Sequence, residues 1–310
     1  MGTRTNYISY NQNYVIVPDY DGQVDIIDFY SGEKIVFKDA VIPLGGVYNG
    51  HHFYIIDNYT KTVYKLKKDK VVDSIRLESK PTNIELFEGE IYITSTNPNR
   101  VYILDNNLNI INSINHSVLS PIIVKDENRL YIPMIENFEN SKFKSNILFL
   151  KPANNTYILN YKNIKHPIDI LMKDGVEYIL NYYEGNIYKN LLTTQQFLIH
   201  INNYTTNMEI YKDNLLINSL NSGLYLYNIE KNEKELLLDI PVRDFAISPN
   251  KEYIYAISHI ENKLYIIKDK KVYQELSVGK YPIDVEAPDN NVILILNTED
   301  QKLLTIRRFE

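Results

Sequence analysis

The stretch EYIYAISHIENKLYIIKDKKVYQELSVGKYPIDVEA, residues 252–287, contains four short runs rich in β-branched and aromatic residues. They are EYIYAIS, KLYIIKD, KVYQELSVG and YPIDVEA, separated by turns of Asn, Asp, Gly and Lys. Runs and punctuation of this kind read as strands. β-branched and aromatic side chains fill a pleated surface, and the turn residues accept tight backbone bends. Alternation at period two gives each run two faces. No stretch keeps a 3.6-residue apolar period over a helix length, so helix content is expected to be close to nil.

The pattern recurs along the chain. KLYII at 263 has cousins in QVDII at 23, TVYKL at 62, RVYIL at 100, NILFL at 146, NIYKN at 186, GLYLY at 223 and KLLTI at 302. Their successive spacings are 39, 38, 46, 40, 37, 40 and 39 residues. KHPIDILMKDG (165–175) returns as KYPIDVEAPDN (280–290), 115 residues or three periods later. Four strands per period of about 40 residues describe an all-β fold, a β-propeller of four-stranded antiparallel blades. An open solenoid is the rival, but its coils are shorter and lack the four-strand meander. The tally is 31 strands if TRTNYIS at the start is counted, which favours eight blades with the last one lacking its outer strand. Seven blades with spare strands is the alternative. The chain reads as one domain over 1–310, with an insertion at 136–145 where the 46-residue spacing adds about seven residues.

SVGKYPIDVEAPDNNVILILNTEDQKLLTI (277–306) and IPVRDFAISPNKEYIYAISHIENKLYII (240–267) resemble the YVTN-repeat propellers, the YncE-like group. The shared pattern is valine-glycine, proline, an apolar strand, Pro-Asp-Gly, then an apolar strand ending in Thr-Asn. The chain departs from it at Asn290, which replaces the Gly, and in most of the Thr-Asn ends. The resemblance implies a propeller whose P-x-D strand is innermost in each blade and lines the central channel. Repeat motifs of this sort specify a fold and bring no catalytic residues.

Composition prunes the function classes. The net charge is −6 and no basic stripe stands out, so nucleic acid is not an expected partner. There is no cysteine, which excludes disulfides, thiolate metal sites and a cysteine nucleophile. No apolar run reaches the roughly 18–20 residues of a membrane span. The N-terminus MGTRTNYISY has no apolar signal core. The expected location is cytoplasmic, or secreted or at a bacterial cell surface if a signal peptide has been removed, and a monomer is expected. Trp is absent, which argues against WD-type and tryptophan-docked blades. No G-x-S-x-G, P-loop, G-x-G-x-x-G, H-E-x-x-H or Ca²⁺-loop pattern occurs. Four Asn-x-Ser/Thr sequons, at Asn58, Asn115, Asn154 and Asn203, are what an Asn-rich chain yields by chance.

Candidate site residues come from aligning the innermost strands. Two positions after the Pro, or its equivalent, stand Asn6, Gly45, Asn83, Ile123, Asp169, Asn207, Asp244 and Asp284. Asp and Asn at a strand start also cap turns through local backbone bonds. The functional alternative is a polar, mildly acidic collar near one mouth of the channel, able to hold water, a cation or a cationic ligand group. Segments leading into these strands carry Arg4, Lys80, His166, Tyr204, Arg243 and Tyr281. The insertion IENFENSKFKS (135–145) should open on the same mouth as a loop, with Phe138 and Phe143 as contact residues or a local apolar cluster. His51 and His52 fall in a turn, and His116, His166, His200 and His259 fall near strand ends.

Three functions follow as expectations. The first is a non-catalytic scaffold that recognises a protein, peptide or glycan at this mouth. The second is an enzyme of the lactone hydrolase or lyase type with an acid–base set or a divalent cation at Asp169, Asp244 and Asp284. The third is a structural surface component. No cofactor is predicted beyond that cation.

Overall fold

The computed structural model describes residues 9–11, 13–19, 22–115, 123–125, 130–139, 142–151, 155–161, 166–191, 194–299 and 302–308. Side chains are described for these except at 11, 124–125, 133–139, 142–151, 155–161, 190–191, 194–195 and 302. The chain divides into two compact units, one of residues 1–141 with 147–159 and one of residues 142–146 with 160–310. Every sheet is antiparallel and takes its strands in chain order.

In the first unit one sheet runs β1 (Ser9–Asn11), β2 (Tyr14–Pro18), β3 (Val24–Asp28) and β4 (Lys34–Phe37). The next holds β5 (Pro43–Tyr48), β6 (Phe53–Asp57), β7 (Thr62–Lys67) and β8 (Lys70–Arg76), and a third holds β9 (Lys80–Phe87), β10 (Glu90–Thr96), β11 (Arg100–Leu104) and β12 (Ile110–Asn115). A fourth is made of β13 (Val124–Lys125), β14 (Leu130–Glu139), β15 (Lys142–Lys151) and β16 (Asn155–Tyr161), with 142–146 grouped with the second unit. The residues expected as an inserted loop lengthen β14 and β15 to ten residues each instead. The side chains of Phe138 and Phe143 lie outside the described ones.

The second unit has three four-stranded sheets. They are β17 (Pro167–Lys173) to β20 (Thr194–His200) through β18 (Val176–Asn181) and β19 (Asn186–Leu191); β21 (Thr205–Tyr211) to β24 (Glu233–Leu238) through β22 (Asn214–Ser219) and β23 (Gly223–Asn228); and β25 (Asp244–Ile247) to β28 (Lys271–Ser277) through β26 (Tyr253–Ser258) and β27 (Lys263–Lys268). Among the described residues the last sheet has three strands, β29 (Pro282–Glu286), β30 (Val292–Asn297) and β31 (Lys302–Arg307).

Within each unit the sheets stack face to face. In β6, Tyr54 and Ile56 enter the core shared with β9–β11, while Phe53 and Ile55 enter the core shared with β2–β4. A strand covered on both faces needs a continuous apolar run, and β6, β18, β22, β26 and β30 have one, closed by a polar residue at the strand end. Fourth strands such as β8 and β28 are exposed along nearly their whole length and carry charge. The first strand of a sheet lies against the first strand of the next, as β17, β21, β25 and β29 do in turn.

The repeated P-x-D phrase is the start of this first strand. Pro167 and Pro282 open β17 and β29, where a missing amide costs no ladder bond. Immediately after, a β-bulge breaks the register between Pro43 and Gly45, Pro167 and Asp169, Thr205 and Met208, and Pro282 and Asp284. An extra residue there twists the strand and re-aims the side chain that follows. Opposite the prolines stand buried polar residues, Asp57, Asn181 and Asn297. Asp57 accepts the Val41 and Ile42 amides at 2.8 and 3.1 Å, so it ties down the segment that delivers the strand.

Candidate functional site

In the second unit the collar residues Asp169, Asn207, Asp244 and Asp284 stand on neighbouring first strands. They form a chain of staples. Asp169 accepts the Ile170 amide on Oδ1 and, from the next sheet, the Met208 amide on Oδ2, both at 2.8 Å. Asn207 Nδ2 donates to Asp244 Oδ1 at 3.2 Å, and Asp244 Oδ2 accepts the Val285 amide at 3.0 Å. Asp284 hydrogen-bonds to Asp244 through its side chain. Two carboxyls meet this way only when one keeps its proton. Apart from the local Ile170 bond, each crosses from one sheet to the next, so the collar satisfies backbone groups and ties the sheets of this unit together. In the first unit Asn83 accepts the Ile84 amide at 2.7 Å, and Gly45 has no side chain to contribute. Asn6 and Arg4 lie outside the described residues.

Two residues farther along, and therefore on the same face, are Glu209 and Glu286. Reading the sequence for the collar missed both. The signal that finds them is period two counted onward from Asn207 and Asp284. Asp169, Glu209, Asp244 and Glu286 are half-buried, and Asp284 is buried. Depth governs their proton affinity. Burial pushes Asp169 up to about 7, against the pull of its two amide donors. Burial, with Asp244 and Asp169 nearby, pushes Glu209 up to about 8, and Lys251 offsets only part of this. Glu286 is raised well above the usual range by burial and then by Asp284, Asp244 and Glu209. Asp244 is also raised by burial. Among the described residues no three His, Asp or Glu side chains converge to hold a metal ion.

Above the collar, ring side chains gather where the first strands begin. His166, Tyr204 and Tyr281 each occupy the residue just before a first strand, and each has left-handed backbone with φ of 58°, 59° and 54°. His166 meets Tyr183 edge-on at 4.6 Å, Tyr183 meets Tyr182 at 4.8 Å, and Tyr204 meets both at 6.1 and 5.7 Å. His259 meets Tyr281 at 5.3 Å. Arg243 acts electrostatically on both Tyr182 and His259, so its charge lies near both ring groups. Burial, then the Arg243 charge, lowers His259 and keeps it neutral at pH 7. Tyr183, Tyr204 and Tyr281 remain 48%, 39% and 44% exposed. Lys80 opens β9 in the first unit. His51 and His52 lie in the turn before β6, and His200 Nδ1 pairs with Asn186 Oδ1 at 3.1 Å. His116 lies outside the described residues.

No protein-family model matches the chain, and no curated protein matches it in sequence. Its structure is similar to the computationally designed protein Ika8, with 9% identity, TM-score 0.70, and 98% of this chain and 96% of that one covered. It is similar to BamB from Moraxella catarrhalis, with 12% identity, TM-score 0.70, and 98% and 94% covered. Apo AztD from Citrobacter koseri matches with 14% identity, TM-score 0.65, and 95% and 91% covered. These are β-propeller proteins, and the four-stranded antiparallel sheets of this chain are of the propeller kind. At such identities the likeness is one of fold alone.

Proposed function

We propose that the chain is a non-catalytic binding scaffold that takes a peptide or glycan at the ring cluster of its second unit. The observation that carries this is the left-handed backbone at His166, Tyr204 and Tyr281. A residue with a side chain costs about 1–2 kcal/mol in that conformation, and glycine or asparagine would avoid most of it. Bulky rings held there at one repeat position in three sheets are strained where strain commonly serves a site. Exposed tyrosines supply stacking surface and hydroxyls, and Arg243 supplies a planar donor for a carboxylate or other anion. The ligand this favours is an acidic peptide segment or acidic glycan. In this reading each sheet is one blade, giving eight blades of YVTN-like type, and the protein acts as a monomer.

The enzyme reading draws on Asp169, whose affinity near 7 suits a general base. Against it, both oxygens of Asp169 and both of Asp244 are already engaged in staples. Screening peptide and glycan arrays with the wild type and with Tyr183→Ala/Tyr204→Ala tests the proposal. A hit that weakens at least tenfold in the variant, with thermal stability kept, supports it. A hit indifferent to both tyrosines and to Arg243→Ala overturns it.

A further inference from the structure

The ring cluster differs from the tyrosines of the cores. Tyr54, Tyr92, Tyr102 and Tyr227 each use the hydroxyl, on the Asn106 carbonyl, Glu90, Ser79 and Asn232 at 2.7–3.0 Å. The hydroxyls of Tyr182, Tyr183, Tyr204 and Tyr281 have no partner among the described residues. Arg243 beside them is alike. It is half-buried, and among the described residues its guanidinium has neither an ion pair nor a hydrogen bond. Asp244 follows it directly, but that carboxyl is taken up by Asn207 and the Val285 amide. A guanidinium is all donors and stays charged at any ordinary pH, so this one calls for an anion.

The main chain of the same residues is already engaged. Tyr281 donates its amide to Asn262 Oδ1 at 2.8 Å, and its carbonyl accepts the Thr298 amide at 3.2 Å. The Arg243 amide donates to the Ile257 carbonyl at 2.8 Å, and the Arg243 carbonyl accepts from Asn218 Nδ2 at 3.0 Å. The Tyr204 and His166 carbonyls accept the Leu220 and Tyr182 amides. An extended peptide gains its affinity from main-chain pairing, and a helical one from an apolar groove. This surface offers rings, hydroxyls and a cation instead. A sugar uses these: its C–H face stacks on a tyrosine ring, and its hydroxyls pair with the phenols.

We propose that the ligand of the ring site is a glycan containing uronic acid, an inference that rests on the binding reading above and narrows it. A uronate carboxylate meets the Arg243 guanidinium, whose planar fork matches it bidentately. Adjoining sugars lie on Tyr204 and Tyr281, both exposed. Arg243 immediately precedes β25, and the neighbouring first strands β21 and β29 are entered from Tyr204 and Tyr281. In strand order the charge thus has an aromatic residue on either side, which suits an acidic sugar flanked by others.

The probes are galacturonate oligomers and hyaluronan oligomers, titrated with the full chain and followed by ligand-observed NMR. Saturable binding of at least one, with Kd on the order of 0.1–1 mM, is expected. Methyl esterification of its carboxylates should weaken binding at least tenfold. Arg243→Gln should weaken the acid at least tenfold and leave the ester unchanged, whereas Tyr204→Ala should weaken both severalfold. If Arg243→Gln folds poorly, Arg243→Lys serves in its place, since it keeps the charge, loses the fork and should weaken the acid severalfold. No saturable binding of either uronate, or binding indifferent to the Arg243 variants, overturns the proposal. An oligoglutamate peptide that binds through Tyr204 and Arg243 where the uronates fail also overturns it, yet leaves the binding scaffold standing. If no peptide or glycan depends on Tyr183, Tyr204 or Arg243, the scaffold reading falls with it.

Discussion

Glu209 shows how a residue's setting fixes its chemistry. Its carboxyl ionises at about 8 in the fold and near 4.5 when the chain is open. The native state therefore holds a proton that the unfolded state has released between those values. Stability from this group is fully present below about pH 4.5, declines as pH rises, and has gone once pH passes about 8. Asp169 adds a smaller decline that ends near 7. Glu209→Gln should flatten the profile and make the variant more stable than the wild type at pH 8.5, by a few degrees of Tm. Thermal melts from pH 5 to 9 measure this, and an unchanged slope in the variant would count against the buried acid as its source. The collar positions were readable from the repeat, because Asp169, Asn207, Asp244 and Asp284 align two residues after the P position. Their bonding was not. Asp169 and Asp244 are each satisfied by a backbone amide about 40 residues onward, and no side-chain identity marks that amide.

Strands and turns were the most legible elements, since β-branched runs and Asn, Asp and Gly turns act over a few residues. The stretch ENFENSKFKS reads as a loop because it is polar, but polarity does not exclude a strand. Alternation continues through it, Asn-Phe-Glu and Lys-Phe-Lys, and the extra residues lengthen β14 and β15. Strands need apolar residues only where a face is covered. One turn is especially intolerant. Gly185 has φ of 60°, and a Cβ there would lie 1.6 Å from the Asn202 carbonyl oxygen. Its amide and carbonyl also bind Asn181 and Ile201. Gly185→Ala should cost about 3 kcal/mol or more, read as a lower midpoint in urea. Gly32, with open space around it, should tolerate the same change far better, at a cost of about 1 kcal/mol.

For the whole molecule, the buried acids separate formal from actual charge. The sequence value of about 5.6 for the isoelectric point treats every carboxyl as ordinary. In the fold, Asp169 and Glu209 keep their protons at that pH, removing about two negative charges. Isoelectric focusing should place the native protein above 5.6 and the urea-unfolded protein lower. Coincident bands would show the acids ionised in the fold. The period near 40 made the propeller class legible from sequence, whereas the ring cluster was not, since Tyr182 and Tyr183 lie in a turn outside any repeated phrase.

Each sheet is built from strands that follow one another directly in the chain. Hydrogen-bonded partners are thus encoded side by side in the gene. Unequal recombination that copies or removes about 120 coding bases would add or delete a complete sheet without rethreading the others. Such a lineage can change its number of sheets in a single step, while the residues of any one sheet diverge independently. The Tyr182–Tyr183 turn of the second unit, against Asn58–Tyr59 at the equivalent place in the first, is the kind of local divergence that this gene architecture permits.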